Sequence, residues 1–241
     1  MSVKYDIPLQ VQTKSSNCVQ TSTSQFISFY GLDITPDDIE KDIPVRFDKD
    51  GKPMGTLLPD IGTWLIKNHD MKATMHVFDA QIIDRSWAEF NQDKLLDTME
   101  KVQKTGISTA KTWYAPYLIE SYIDFLKAGG LIDITKCTNK LLRSLLDKGT
   151  VLAIVSFNYL YDWPREVFNK KTGHYEEDAI NGKVTEHAIV LTGYDEGIFY
   201  YNDPAEVVSG QKTVQDDVLI GAICTAQINS DNYLLTIEKP I

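Results

Sequence analysis

Apolar residues recur with a helical period through most of the first half of the chain, and with a strand period through much of the second. Asn17 stands as an N-cap, with Gln20 three residues later at the spacing of a capping box. Phe26, Ile27, Phe29 and Tyr30 then give an apolar side to a helix that ends at Gly31. This helix carries Cys18 in its first turn, at its positive end. Ahead of it, residues 5–12 read as a short extended stretch that Pro8 confines to a sheet edge or a lead-in. A second helix is predicted from near Asp37 and a third over 57–68, and residues 72–78 (KATMHVF) alternate as a strand. From about Ala80 to Cys137 the pattern is mostly helical. Leu95, Leu96, Met99 and Val102 fit one face, Ile119, Tyr122, Ile123 and Leu126 another, and Gly129-Gly130 is a stop. Thr138 caps a further helix through Leu146, stopped by Gly149.

The period then changes. Residues 151–157 form a buried-strand run, and 158–184 are turn-rich and aromatic, with Tyr159, Tyr161, Trp163, Phe168 and Tyr175. Residues 187–192 (HAIVLT) read as a strand, 193–197 as a hairpin turn and 198–202 as the returning strand. A short helix or strand near 214–226 and a strand over 232–237 complete the chain. Helices first and antiparallel strands later make an α+β pattern.

Composition narrows the function. The 241 residues are 43% hydrophobic and 24% charged, the profile of an ordinary globular protein that needs no staples to build a core. A net charge of −10 excludes a general nucleic-acid binder, which needs a basic face, and disfavours an anionic membrane surface. No apolar run is long enough to span a bilayer, and the N-terminus lacks the apolar core of a signal peptide. Three cysteines are too few, and odd in number, for a disulfide framework, so a reducing, cytoplasmic setting is expected. No metal-ligand spacing and no phosphate-binding glycine loop is present, and neither metal nor cofactor is expected.

The informative residues are Gln12, Cys18, His187 and Asp203. A thiol attacks carbonyl carbon as thiolate, and a helix N-terminus and a nearby imidazole both favour that form. The hairpin after His187 returns Asn202-Asp203-Pro204 toward the start of the His187 strand. A carboxylate there would accept the imidazole Nδ1–H and fix the tautomer. Gln12, ahead of Cys18, offers an amide N–H as an oxyanion donor, with Gln10 as the alternative.

Several features now stand together. Gln12 and Cys18 are separated by five residues, and the helix ends Phe29-Tyr30-Gly31. His187-Ala-Ile-Val-Leu-Thr-Gly-Tyr-Asp follows, and then Tyr201-Asn202-Asp203-Pro204. This arrangement resembles the C39-like group of papain-fold cysteine peptidases, over roughly residues 7–78 and 150–204. The resemblance implies one papain-like α+β domain over 1–241, an N-terminal helix with Cys18 packed on an antiparallel sheet with His187 and Asp203, and a helical insertion at about 80–137. It implies Cys18 as nucleophile, His187 as general base, Asp203 as its orienting group and Gln12 as oxyanion donor. Val19 and Gln20 depart from the glycine and small residue that usually follow the nucleophile in that group. The group's transporter-linked, leader-processing role does not suit a chain without a membrane span.

The expected activity is a thiol hydrolase acting on a peptide or amide bond through a thioester. The same groups would serve an acyltransferase or amide ligase, and a catalytically silent peptide-binding module is a further reading. Bland readings stand beside these. Cys18 and Cys224 suit a core, His187 a structural histidine and Asp203 a turn before Pro204, while Cys137 is a rival nucleophile ahead of a helix. His174 reads as solvated or as a substrate contact. The segment 158–184 reads as a cleft wall or as a packed surface loop. The sequence leaves oligomeric state open.

Overall fold

A computed structural model of the chain describes residues 2–48, 51–79, 82–106, 115–226 and 232–239. The first elements are β1 (Val3–Lys4), α1 (Cys18–Ser28), α2 (Pro36–Asp42), β2 (Arg46–Phe47), β3 (Pro53–Gly55), α3 (Leu58–His69) and β4 (Lys72–Phe78). A short 3-10 turn (Arg85–Glu89) leads to α4 (Gln92–Thr105), α5 (Ala115–Lys127), β5 (Leu131–Ile134) and α6 (Asn139–Leu146). The remainder is β6 (Val151–Ser156), α7 (Phe157–Tyr161), β7 (Glu166–Asn169), β8 (His174–Glu177), β9 (Glu186–Asp195), β10 (Ile198–Asp203), β11 (Gly210–Gln215), α8 (Asp216–Cys224) and β12 (Asn232–Glu238). Mixed α+β character, an N-terminal helix and a mostly antiparallel sheet are therefore observed.

Seven strands neighbour one another in the order β11-β10-β9-β6-β12-β4-β5, and β1 joins the same sheet by pairing with β9. Every pairing in it is antiparallel except that of β4 with β5. The sheet is buried on both faces. Leu152, Ile154, Ala188 and Val190 belong to one apolar cluster, with α1, α3 and α5; Val151, Ala153, Val155, Ile189 and Leu191 belong to another, with α6 and α8. An unbroken apolar run such as Val151-Leu152-Ala153-Ile154-Val155 follows, because neither face offers water to a polar side chain.

α1 lies between that sheet and the N-terminal segments, and its interior is polar. All of residues 19–27 are buried, including Gln20, Thr21, Ser22, Thr23, Ser24 and Gln25. Buried polar groups need partners, and these partners come from elements far apart in sequence. Gln20 donates to the Ile43 carbonyl and Thr56 Oγ1 at 3.0 and 2.8 Å. Ser22 donates to the Ala188 carbonyl at 2.8 Å, Ser24 to the Ile34 carbonyl at 2.6 Å and Gln25 to the Gln10 carbonyl at 3.1 Å. Asn202 donates to Gln25 Oε1 at 3.0 Å. Gln20 Oε1 and Thr23 Oγ1 are the atoms of this set left without a partner.

Of the two readings for residues 5–12 the lead-in holds: Tyr5 donates to the Thr192 carbonyl beside β1, Gln10 accepts from Gln25, and Gln12 donates to the Pro204 carbonyl. Three sequence expectations change. β9 runs on to Asp195, so the hairpin turn is Glu196-Gly197 alone, both in the left-handed region at φ 41° and 89°, as a two-residue hairpin demands. The stretch expected as helical up to Cys137 adds β5 to the sheet, parallel to β4, while its residues 80–81 and 107–114 lie outside those described. The aromatic segment 158–184 contains α7 and the β7–β8 hairpin. Among the described residues no helix is long and apolar enough to cross a membrane.

β1 lies against β9 at Gly193, where a Cβ would overlap the Val3 carbonyl oxygen. Gly193→Ala must push that backbone away, an overpacking cost of about 1–3 kcal/mol. The expected outcome is a lower Tm, with faster hydrogen exchange at the Tyr5 amide, which bonds the Thr192 carbonyl at 2.7 Å.

Candidate active site

Cys18 is the first residue of α1 and is half-buried. The N–H groups of a first helical turn lack intrahelical acceptors and carry the positive end of the dipole. Asn17 does not cap them. Its φ and ψ of −101° and 26° are not extended, and no side-chain cap bond forms. Asn17 Oδ1 instead accepts from the Lys14 amide at 3.3 Å, closing the preceding loop, while Gln20 reaches Ile43 and Thr56. The expected capping box is thus replaced by a turn that leaves the first amides of α1 free of a capping side chain.

His187, near the start of β9, is 5% exposed, and Asp203, at the end of β10, is fully buried. The hairpin brings them together: His187 Nε2 and Asp203 Oδ1 are 2.8 Å apart. The expected contact through Nδ1 is therefore corrected to Nε2, which leaves Nδ1 as the ring nitrogen not committed to the carboxylate. Cys18 lies within electrostatic reach of the His187 ring, since it is among the groups that raise the imidazole. Asp203 also serves as a turn residue, since Oδ1 accepts from the Ala205 amide at 2.8 Å across Pro204. The turn reading and the carboxylate–imidazole reading hold together.

Sequence reasoning passed over the second partner of the carboxylate. Tyr161 donates to Asp203 Oδ2 at 2.5 Å, and its hydroxyl lies 3.1 Å from that of Tyr201. Burial and then the Asp203 charge push the Tyr161 hydroxyl far above its ordinary value, so it stays a donor. Tyr161 stood out only as one aromatic of a turn-rich segment, and nothing local tied it to Asp203. Phe157 packs edge-on against the His187 ring at 5.3 Å. Tyr175, on β8, is half-buried, stacks near Phe168 at 5.3 Å, and is pushed up to about 12 by burial and then by Cys18 and Glu166. Tyr175 thus brings the β7–β8 hairpin within electrostatic reach of Cys18. His174 is exposed.

Gln12 is anchored by its backbone N–H on the Pro204 carbonyl at 2.8 Å, next to Asp203. Its Oε1 is enclosed without a hydrogen-bond partner. Gln10 is occupied otherwise, donating to Ser24 Oγ at 2.9 Å. Cys137 packs instead on the apolar cluster that holds α6 and α8, and its thiol is pushed far above its ordinary value by Cys224 and by burial. The groove between β1 and the β10–β11 edge encloses about 340 Å³ and contains none of Gln12, Cys18, His187 and Asp203.

Charge at this site follows from burial and pairing. Burial opposes the His187 cation, but the Asp203 charge and hydrogen bond, followed by Cys18, outweigh it, and the imidazole is raised from 6.5 to about 10. Burial likewise opposes the Asp203 anion, but His187, Tyr161 and the Ala205 amide outweigh it and lower the carboxyl below 3.8. The imidazole's contribution to stability is whole below pH 6.5 and is lost as pH rises through about 10. The carboxylate's contribution is whole above pH 3.8 and is lost as pH falls through its lowered value. Removing one member of a buried pair costs about 3–5 kcal/mol, so Asp203→Ala is expected to shift the denaturant midpoint by that order. In Asp203→Asn the imidazole should titrate far below its raised value, as read from ring-proton chemical shifts.

Comparison with solved structures finds the crystal structure of a putative C39-like peptidase from Bacillus anthracis, at a TM-score of 0.50 and 13% identity, covering 100% of this chain and 98% of that one. At that identity the likeness concerns the fold. No curated protein matches the sequence. The model of the Peptidase_C39 like family matches residues 4–226, which takes in the middle of the chain as well as both ends. By that match, the chain belongs to the Peptidase_C39 like family.

Proposed function

We propose that the protein is a papain-like cysteine peptidase in which Cys18, His187, Asp203 and Gln12 act together on a peptide bond. The observation that carries this reading is the buried His187 ring, bonded to Asp203 at 2.8 Å with Cys18 among the groups that raise it. Family membership supports the same activity.

In this reading His187, held positive by Asp203, is the counter-charge for the Cys18 thiolate at the end of α1. The sulfur attacks the carbonyl carbon and forms a tetrahedral oxyanion. The Cys18 N–H and the Gln12 side-chain amide donate to that oxygen. His187 passes its proton to the leaving nitrogen, the C–N bond breaks and a thioester remains. Water then gives a proton to His187 as its oxygen attacks the thioester, and the acid leaves as the C–S bond breaks. Asp203 fixes the ring throughout, with Tyr161 holding the carboxylate's other oxygen at 2.5 Å. The β7–β8 hairpin supplies one wall of the cleft.

The test begins with the thiol. At pH 6, Cys18 should be alkylated by iodoacetamide many times faster than a free model thiol, and His187→Ala should erase the difference. Equal rates in wild type, with no effect of His187→Ala, would favour a silent peptide-binding module. A peptide electrophile should add one equivalent of mass, lost in Cys18→Ala, and product analysis with an added amine separates hydrolysis from acyl transfer. Gln12→Ala should lower kcat by about 10²–10³ while leaving KM nearly unchanged, the pattern of a lost oxyanion donor. An unaltered kcat would remove Gln12 from the mechanism.

A further inference from the structure

β9 sets one more side chain beside the reactive groups. Its residues 186–191 pair with β6 without interruption, from Ser156 opposite Glu186 to Val151 opposite Leu191, so their side chains alternate between the two faces of the sheet. Glu186 therefore shares a face with Ala188 and Val190, which pack in the apolar cluster that holds Phe26 and Ile27 of α1. α1 runs along that face in the direction of β9: Ser22 bonds the Ala188 carbonyl, and Gln25 Oε1 accepts from Asn202, the partner of Val190 in the β9–β10 ladder. Going back from Ser22 to Cys18 covers about 6 Å of helix. Going back from Ala188 to Glu186 covers about 6–7 Å of strand. Cys18 and Glu186 thus stand level with each other, and Glu186 adjoins His187 in the chain. Its carboxyl is uncommitted, with no hydrogen bond and no ion pair among the described residues. Glu166, on β7, is engaged at both oxygens, accepting from Trp163 Nε1 at 3.0 Å and from Thr185 Oγ1 at 2.9 Å. Water reaches Glu186, yet the protein around it raises the carboxyl from 4.5 to about 8 by desolvation. A carboxyl in that condition gains from a cation beside it.

We propose that Glu186 is a specificity-determining residue of the active site, and that it selects a lysine or arginine on the leaving-group side of the scissile bond. This inference rests on the peptidase reading above and names the substrate class for it. In that reading Gln12 faces the carbonyl oxygen, while His187 hands its proton to the leaving nitrogen. A side chain adjoining His187 therefore meets the residue that supplies that nitrogen. An ammonium or guanidinium there forms a charge-assisted hydrogen bond with the carboxylate and holds it ionised. A neutral side chain of the same length leaves the carboxyl without a partner. The net charge of −10 acts in the same sense at longer range, by favouring the approach of basic peptides.

The test uses the full-length chain and three internally quenched peptides, identical except at the residue that supplies the leaving nitrogen, which is lysine, norleucine or glutamate. The lysine peptide should be cleaved with a kcat/KM about tenfold above that of the norleucine peptide, the worth of one hydrogen bond to a charged group. Glu186→Gln should bring that ratio close to one, and Glu186→Lys should turn the preference toward glutamate. A ratio does not depend on the fraction of protein that is folded, so a loss of stability cannot imitate either result. A wild-type ratio near one, or a ratio that Glu186→Gln leaves unchanged, overturns the proposal. Binding keeps this outcome apart from the fate of the peptidase reading. If wild type cuts none of the peptides, the same three are titrated onto Cys18→Ala, with and without Glu186→Gln. Tighter binding of the lysine peptide, abolished by Glu186→Gln, then upholds Glu186 as the selecting group although the peptidase reading has failed. Equal Kd values for the three peptides overturn it.

Discussion

The arrangement depends on a helix most of whose buried side chains are polar. A helix of leucine and alanine in the position of α1 could slide or rotate at small cost, because dispersion contacts have little direction. Hydrogen bonds do have direction, and those of α1 end beside the reactive groups. Ser22 bonds the carbonyl of Ala188, next to His187, and Gln25 accepts from Asn202, next to Asp203. Gln25 also bonds the carbonyl of Gln10, two residues before Gln12. The sulfur at the helix start is thus referenced to imidazole, carboxylate and amide through bonds one or two residues away from each. Loss of any one leaves a polar atom stranded in a dry interior, where it costs more than a neutral gap would.

The buried His187–Asp203 pair stands on the same logic. A carboxylate taken out of water is costly unless its lone pairs are used. Asp203 spends Oδ1 on the imidazole and the Ala205 amide, and Oδ2 on Tyr161. The Ala205 amide and the aromatic side chain Tyr161 of α7 are therefore part of the electrostatics of the site, although neither carries charge.

Much of this was legible in the residues, for reasons of locality. A helix with Cys18 in its first turn follows from Asn17, the apolar side at Phe26 and Ile27, and the stop at Gly31. β6, β9 and β10 follow from apolar runs and a turn, and the pairing of β9 with β10 follows from the turn being short. The cap failed because Asn17 has two local choices, and closing the Lys14 loop won. β5 was hidden because four residues after a helix stop carry little pattern, and their pairing with β4 is a matter of tertiary packing. Tyr161 was invisible as a partner of Asp203, since the contact joins residues from opposite sides of a loop that no periodicity describes. The buried interior of α1 was hidden for a related reason: a run of Gln, Thr and Ser reads as a solvated face until its partners are known.

Those partners have a further consequence for how the chain comes into being. A ribosome releases the N-terminal residues first, and domains generally fold once their parts are out. α1 can satisfy the Ser22 hydroxyl and Gln25 Oε1 only with Ala188 and Asn202, which are made much later. Until then the nascent segment has neither a dry environment nor an imidazole beside it. The place of Cys18 against His187 is therefore completed late, by residues well down the chain from the sulfur.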